Sequence, residues 1–307
     1  MHILISEFMD ERAVALLRAQ HEVVHDPKLV DDPARLRAEA ASADAIIVRN
    51  RTQVRGDLLE ALVRCRVVGR LGVGLDNIDV PGCEARGMRV IPATGANAQS
   101  VAEYVIAAAL LLLRGAYQST AAVAAGAWPR TALGNGREIG GRTLGLVGFG
   151  SIGQLTARLA RGVGMSVVAH DPLMNAADSA FGEGGVRAVS LDELVATADV
   201  VSLHVPLLDS TRHLFDAQRL AAMRKGAVLV NSARGGVVDE VALATALRSG
   251  HLGGAALDVF EREPLPAGSV LVDCPNLLLT PHIAGVSVES NDRVSSLIAH
   301  KVIEALR

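Results

Sequence analysis

Short apolar runs bounded by glycine or polar residues recur along the chain, and between them apolar positions return every three or four residues. Runs that are apolar at successive positions suit strands buried on both faces, and the intervening period suits amphipathic helices. Residues 2–92 predict strands over His2–Phe8, Glu22–His25, Ala45–Arg49, Arg66–Leu71 and Arg89–Ile91. Helices are predicted near Glu11–Ala19, Pro33–Ala41, Asp57–Val63 and Asp79–Arg86. Such alternation implies a parallel sheet with helices on both faces. A second set starts at Thr143, with strands over Thr143–Val147, Ser166–His170, Val200–Val205, Ala227–Ser232, Gly254–Val259 and Leu277–Thr280. Its clearest helix is Asp239–Ser249, stopped by Gly250, and the chain ends in a helix over Val288–Leu306. Between the sets, Ala98–Gln118 reads as a helix apolar nearly all round and therefore buried, here between two domains. Ser119–Gly141 is weakly patterned, carries the only tryptophan, Trp128, and reads as an arm onto a neighbouring subunit. The pattern is that of an α/β protein with two doubly wound parallel sheets.

Length supports that division, because 307 residues exceed what one core usually serves. Half the residues are hydrophobic and only 3% aromatic, so the core is built from Ala, Val and Leu. A formal charge of −3 gives no general attraction to nucleic acid or an anionic membrane. The start, Met-His-Ile-Leu-Ile, has no basic lead and reads as a strand, not a signal. The longest apolar run, Val105–Leu113, is too short to cross a bilayer. Cys65, Cys83 and Cys274 are far apart and odd in number, which suits reduced thiols in a cytoplasmic protein and no metal.

The most specific local signal follows the strand at Thr143. Gly148, Gly150 and Gly153 form G-x-G-x-x-G, a helix opens at Ser151, and the next strand delivers Asp171 eighteen residues after Gly153. In that order the pattern is the dinucleotide fingerprint: the first glycine permits the tight turn, the second lets pyrophosphate approach, and the third lets helix and strand pack. The phosphates sit at the helix N-terminus, where N–H groups and the dipole favour anions. Asp171 would take the adenosine ribose hydroxyls, and its charge disfavours a 2′-phosphate, which points to NAD over NADP.

Three further loops follow strands of the second half: Asn231–Gly236 with Arg234, Leu257–Pro264 with Asp258 and Glu263, and Leu279–Gly285 with His282. A glycine-flanked arginine can hold a carboxylate bidentately. A lone histidine could be structural, and His204, before Val205-Pro206, is the closest competitor to His282. In the first half, Arg49-Asn50-Arg51-Thr52 and Gly72-Val73-Gly74 follow strands, the second being either an anion nest or a tight turn.

Together these segments resemble the D-isomer-specific 2-hydroxyacid dehydrogenases, close to the phosphoglycerate dehydrogenase branch without its regulatory domain. The resemblance rests on Gly72–Asp79, Gly148–Gly153, His204–Leu207, Asn231–Gly236, Ala256–Glu261 with Glu263-Pro264, and Thr280–Gly285. It implies a flavodoxin-like substrate domain, 1–98 with 286–307, and a Rossmann NAD-binding domain, 99–285, with the cleft at their junction. His282 would be the acid–base group, Glu263 its orienting carboxylate, and Arg234 the holder of the substrate carboxylate. Ionised Glu263 would stabilise the charged histidine ring. Ser151 and Ile152 would hold the pyrophosphate and Asp258 the nicotinamide amide. His204, Val205, Pro206, Ser232, Ala233, Arg234, His282 and Gly285 would also line the cofactor. Val73 and Gly74 would meet the substrate carboxylate. The partners implied are a small 2-hydroxy or 2-oxo acid and a second copy in a homodimer.

Corepressors related to C-terminal-binding protein keep an Arg–Glu–His set on this scaffold, so a nucleotide-sensing protein is the alternative, with phosphite dehydrogenase another. Formate dehydrogenases pair the histidine with glutamine, which Glu263 argues against. Arg49, Arg51 and Arg70 suggest a substrate with a second anionic group, such as a phosphate, sulfonate or carboxylate. Ser6–Asp10 and Val48–Gly56 resemble sulfolactate dehydrogenases, which makes 3-sulfolactate the expected substrate and Arg51 the expected contact.

Overall fold

The computed structural model describes every residue except Ala176, Ala177 and Gly184. The chain divides into two compact units, Met1–Asn97 with Val286–Arg307, and Ala98–Gly285.

The first unit runs β1 (His2–Ile5), α1 (Glu11–Arg18), β2 (Glu22–His25), α2 (Pro33–Ala40), β3 (Ala45–Val48), α3 (Gly56–Ala61), β4 (Val67–Arg70), α4 (Val80–Ala85) and β5 (Arg89–Pro92). Its parallel strands lie in the order β2-β1-β3-β4-β5. All of β3 and three residues of β1 are buried, as a sheet covered on both faces requires. Asp10, Asp32 and Asp79 start α1, α2 and α4 by accepting from N–H groups of the first turns. The C-terminal helix, Val288–Leu306, returns to this unit and sets Val294, Ile298 and Val302 into one core with Ile3, Ile5, Ile47 and Val67.

The second unit runs α5 (Ala98–Arg114), α6 (Thr120–Ala124), β6 (Thr143–Val147), α7 (Ser151–Gly162), β7 (Ser166–His170), α8 (Ser179–Glu183), β8 (Arg187–Ala188), α9 (Leu191–Thr197), β9 (Val200–Leu203), α10 (Ala217–Ala222), β10 (Val228–Asn231), α11 (Glu240–Arg248), β11 (Gly254–Leu257) and β12 (Leu277–Leu279). Strand order is β12-β11-β10-β9-β6-β7-β8. The order reverses between β6 and β9, the switch point at which ligands bind in such sheets. The α/β class with two doubly wound parallel sheets is therefore the observed one.

Two expectations need correction. The helix from Ala98 stops at Arg114, not Gln118, because Gly115 takes φ 66, the left-handed conformation that ends helices. It is not buried all round either, since Leu110 and Leu111 are exposed. Several strands are also shorter than their apolar runs: β9 ends at Leu203, yet Val205 is still buried in the core. Burial continues there after strand pairing has stopped. No helix among the described residues is long and apolar enough to cross a membrane.

Gly69 in β4 tests the packing of the C-terminal helix. A Cβ there would lie 2.9 Å from Ile298 Cγ2 and 3.1 Å from Val302 Cγ2. Overpacking of this kind costs roughly 1–3 kcal/mol. Gly69→Ala is expected to lower the melting temperature by several degrees; an unchanged value would show that the helix does not pack on β4 this way.

Candidate active site

The turn after β6 is shaped by close backbone approaches. Gly148 takes φ 97, and a Cβ on it would lie 2.5 Å from the His204 carbonyl oxygen. A Cβ on Gly153 would lie 2.5 Å from the Gly148 carbonyl oxygen. Gly150 is different, because nothing lies within 4 Å of its Cβ position. It precedes α7, no side chain caps that helix, and the N–H groups of its first turn and its positive end are suited to an anion. Asp171, just past β7, accepts from the N–H groups of Phe149 (2.8 Å) and Leu173 (2.9 Å), which ties the acid to the glycine turn.

His204 follows β9, partly buried, with Nε2 3.0 Å from Ser202 Oγ. Burial pushes it down to about 4, so it does not exchange protons near neutral pH. The competitor to His282 is thereby held neutral. Val205 is buried beside it.

Arg234 sits on a turn built by Asn231 at the end of β10. Asn231 donates to the Arg234 carbonyl (3.0 Å) and accepts from Ala233 N–H (3.1 Å). Gly235 lets this turn press against the one after β11: a Cβ there would fall 1.7 Å from the Phe260 carbonyl oxygen. In the second turn Glu263 accepts from Phe260 N–H (3.1 Å), and its other oxygen lies 2.7 Å from His282 Nδ1. Partial burial pushes the Glu263 carboxyl up. The hydrogen bond and charge of His282, the Phe260 N–H and the Arg234 charge outweigh that and hold it below the usual glutamate range. Arg234, Glu263 and His282 thus share one electrostatic environment.

His282 is placed by Asp258, which is 1% exposed. The Asp258 carboxylate accepts from Thr280 Oγ1 (2.6 Å), Ile283 N–H (2.8 Å) and Ala284 N–H (2.7 Å). His282 takes φ 56, uncommon for a residue with a side chain, and these bonds grip the loop on both sides of it. Thr280 gives its one hydroxyl proton to Asp258, so Tyr104, 2.7 Å away, donates to Thr280. The bonds that Asp258 makes within the protein organise the histidine loop. Tyr104 and Thr280 carry no functional expectation from the sequence, where Tyr104 stands beside Glu103 just before the apolar run of α5.

The Ser232 hydroxyl is buried without a hydrogen-bond partner among the described residues. That orphaned group, the open space at Gly150 and the uncapped start of α7 all fit a dinucleotide.

In the first unit, Arg51 is exposed and ion-paired with Asp31. Arg49 is half-buried, donates to Asn291 (2.9 Å) and lies 5.7 Å over the Phe8 ring. Arg70 folds onto its own turn and donates to the Leu71 carbonyl (2.8 Å). A Cβ on Gly72 would fall 1.7 Å from that guanidinium nitrogen, so the glycine makes room for the arginine. Val73 and Gly74 follow directly and are partly buried.

Residues 106–284 match the family model described as D-isomer specific 2-hydroxyacid dehydrogenase, NAD binding domain. The chain is 55% identical to (S)-sulfolactate dehydrogenase of Chromohalobacter salexigens, over 99% of its own length and 98% of that protein's. It is 40% identical to D-3-phosphoglycerate dehydrogenase of Mycobacterium leprae, covering 99% of itself but 56% of that enzyme. Among solved structures, it is similar to NAD-dependent formate dehydrogenase from Staphylococcus aureus in complex with NAD, with a TM-score of 0.85, 28% identity, and coverage of 100% of this chain and 96% of that one.

The Glu263–His282 pair has a measurable signature. A carboxyl depressed by folding contributes stability above its ordinary value of 4.5 and loses that contribution as pH falls through the folded value. Glu263→Gln should therefore melt below wild type near neutral pH, with the gap closing below pH 4.5. A gap that stays constant across thermal melts from acid to neutral pH would assign the difference to packing instead.

Proposed function

Because the chain belongs to the D-isomer specific 2-hydroxyacid dehydrogenase family, we propose that it interconverts a 2-hydroxy acid bearing a second anionic group and the corresponding 2-oxo acid, with His282, Glu263 and Arg234 as the catalytic set. The class is NAD-dependent oxidoreductase. The observation that carries the assignment is the 2.7 Å contact between His282 Nδ1 and Glu263, beside the Arg234 turn.

The cofactor would lie along the Gly148–Gly153 turn, with pyrophosphate at Ser151 and Ile152 and the adenosine ribose at Asp171. His204, Val205, Pro206, Ser232, Ala233, Asp258 and Gly285 complete the lining, and one lone pair of Asp258 Oδ2 remains to accept an amide. When bound, NADH supplies hydride to the carbonyl carbon. Arg234 holds the substrate carboxylate and stabilises the charge that develops on oxygen. Protonated His282 gives its proton to that oxygen, and Glu263 on Nδ1 orients the ring and stabilises its charged form. In oxidation, neutral His282 takes the hydroxyl proton.

Val73 and Gly74 are proposed to meet the carboxylate and Arg51 the distal anion. The Asp31 pair of Arg51 does not oppose this strongly, since solvent screens an exposed ion pair. A sulfonate or phosphate can engage the whole guanidinium fork. The 55% identity to an (S)-sulfolactate dehydrogenase favours 3-sulfolactate. Its (S) descriptor agrees with the D-specific family: sulfur makes the sulfomethyl group outrank the carboxylate, so (S)-sulfolactate has the spatial arrangement of D-lactate. We further place the enzyme in the cytoplasm without a nucleic-acid partner. A homodimer is proposed through the segment bearing Trp128, which is 76% exposed.

His282→Ala should lower kcat by roughly 10²–10⁴-fold while NADH still binds, read by fluorescence titration. Full turnover in that variant would remove the histidine from the mechanism. For the tail, NADH oxidation is compared with 3-sulfopyruvate and with 2-oxobutyrate. Arg51→Ala should raise KM strongly for the first and barely for the second; equal weakening of both, or a wild-type preference for 2-oxobutyrate, rules out the charged-tail substrate.

A further inference from the structure

The strand order of the first unit reverses between β1 and β3, and ligands of doubly wound sheets bind at the carboxyl ends beside such a point. Two segments leave the sheet there, Ser6–Phe8 after β1 and Arg49–Thr52 after β3. Glu7 is 4% exposed. Its Oε1 accepts from the N–H groups of Arg49 (2.9 Å) and Thr52 (3.0 Å), and its Oε2 from that of Arg51 (3.1 Å). Asn77, also buried, donates to the carbonyls of Arg49 (3.0 Å) and Thr52 (2.7 Å). The Ser6 and Thr52 hydroxyls lie 2.9 Å apart.

Building on the assignment of the substrate's distal anion to this loop, we propose that Glu7 is the positioning residue that makes the enzyme selective for a doubly anionic acid, with Asn77 bracing the loop's carbonyl side. The amides of residues 49, 51 and 52 are spent on a carboxylate, so an incoming sulfonate or phosphate cannot recruit them. Recognition falls to the guanidinium groups, whose direction depends on the loop's backbone. A buried carboxylate is costly unless fully hydrogen-bonded, which makes this arrangement an all-or-none clamp. Burial pushes the Arg49 guanidinium down and the Glu7 charge opposes it, so Glu7 also supports the cation beside the loop. The three N–H bonds and Arg49 offset a charge that would otherwise repel the substrate's tail.

Glu7→Gln keeps the shape but turns one acceptor into a donor facing an N–H. Amide hydrogen exchange over residues 48–54 should quicken. KM for 3-sulfopyruvate should rise roughly ten- to a hundredfold, the range expected for losing a charged buried hydrogen bond, while kcat and the KM for 2-oxobutyrate stay near wild type. Glu7→Asp, which retains both acceptors, should recover part of the selectivity. If Glu7→Gln does not fold, Asn77→Asp opposes carbonyls to a carboxylate and should give the same selective loss. Unchanged exchange, or an equal loss for both acids, overturns the proposal. Selective damage by Arg51→Ala without any by Glu7→Gln overturns it while leaving the charged-tail substrate intact. Faster exchange with no selective effect from either variant overturns both.

Discussion

The Asp258 carboxylate is almost wholly buried, and three hydrogen bonds from Thr280, Ile283 and Ala284 take up its charge. A charge in such a place is tolerated only while those donors stay, so the bonds hold the loop as firmly as the loop satisfies the acid. His282 inherits its position from that exchange. Its left-handed backbone would relax if either flank were free. The same β11 turn that starts at Asp258 ends at Glu263, so one short segment both fixes the histidine loop and supplies the ring's partner.

Close backbone contact completes the constraint. Gly235 brings the Arg234 turn against Phe260, and Phe260 N–H holds Glu263. A side chain at Gly235 would push the guanidinium turn away from the Glu–His pair without touching either of those side chains. Glu7 plays in the first unit the part that Asp258 plays in the second: a buried acid past a strand's carboxyl end, satisfied by the N–H groups of a neighbouring loop. Parallel sheets gather their loops at one edge, and buried acids there convert loose connections into fixed ones.

The two histidines that compete in the primary structure differ only in surroundings. His204 lies against the glycine turn, and desolvation drives it neutral. His282 is exposed on one side and faces a carboxylate that the fold keeps ionised. The roles proposed for them follow from that difference in solvation and partner, since the side chains are identical.

Patterns that depend on neighbours in the chain were legible from composition and spacing alone. β2 and the C-terminal helix have the bounds their patterns predict, and the glycine fingerprint needs only the local order strand, turn, helix, strand, acid. The ends of α5 and β9 were less legible, because Gly115 can end a helix or be carried through one, and Val205 is buried by packing and not by pairing. Glu7 and Tyr104 left almost no trace. Glu7 acts on Arg49 across 42 positions, and Tyr104 on Thr280 across 176. Local propensity sets which segments become strands and helices, whereas bonds between distant segments exist only after the sheets have brought their ends together. The sequence by itself therefore determined the class of fold and the residue types of the chemistry, and the tertiary structure decided which buried acids hold those residues in place.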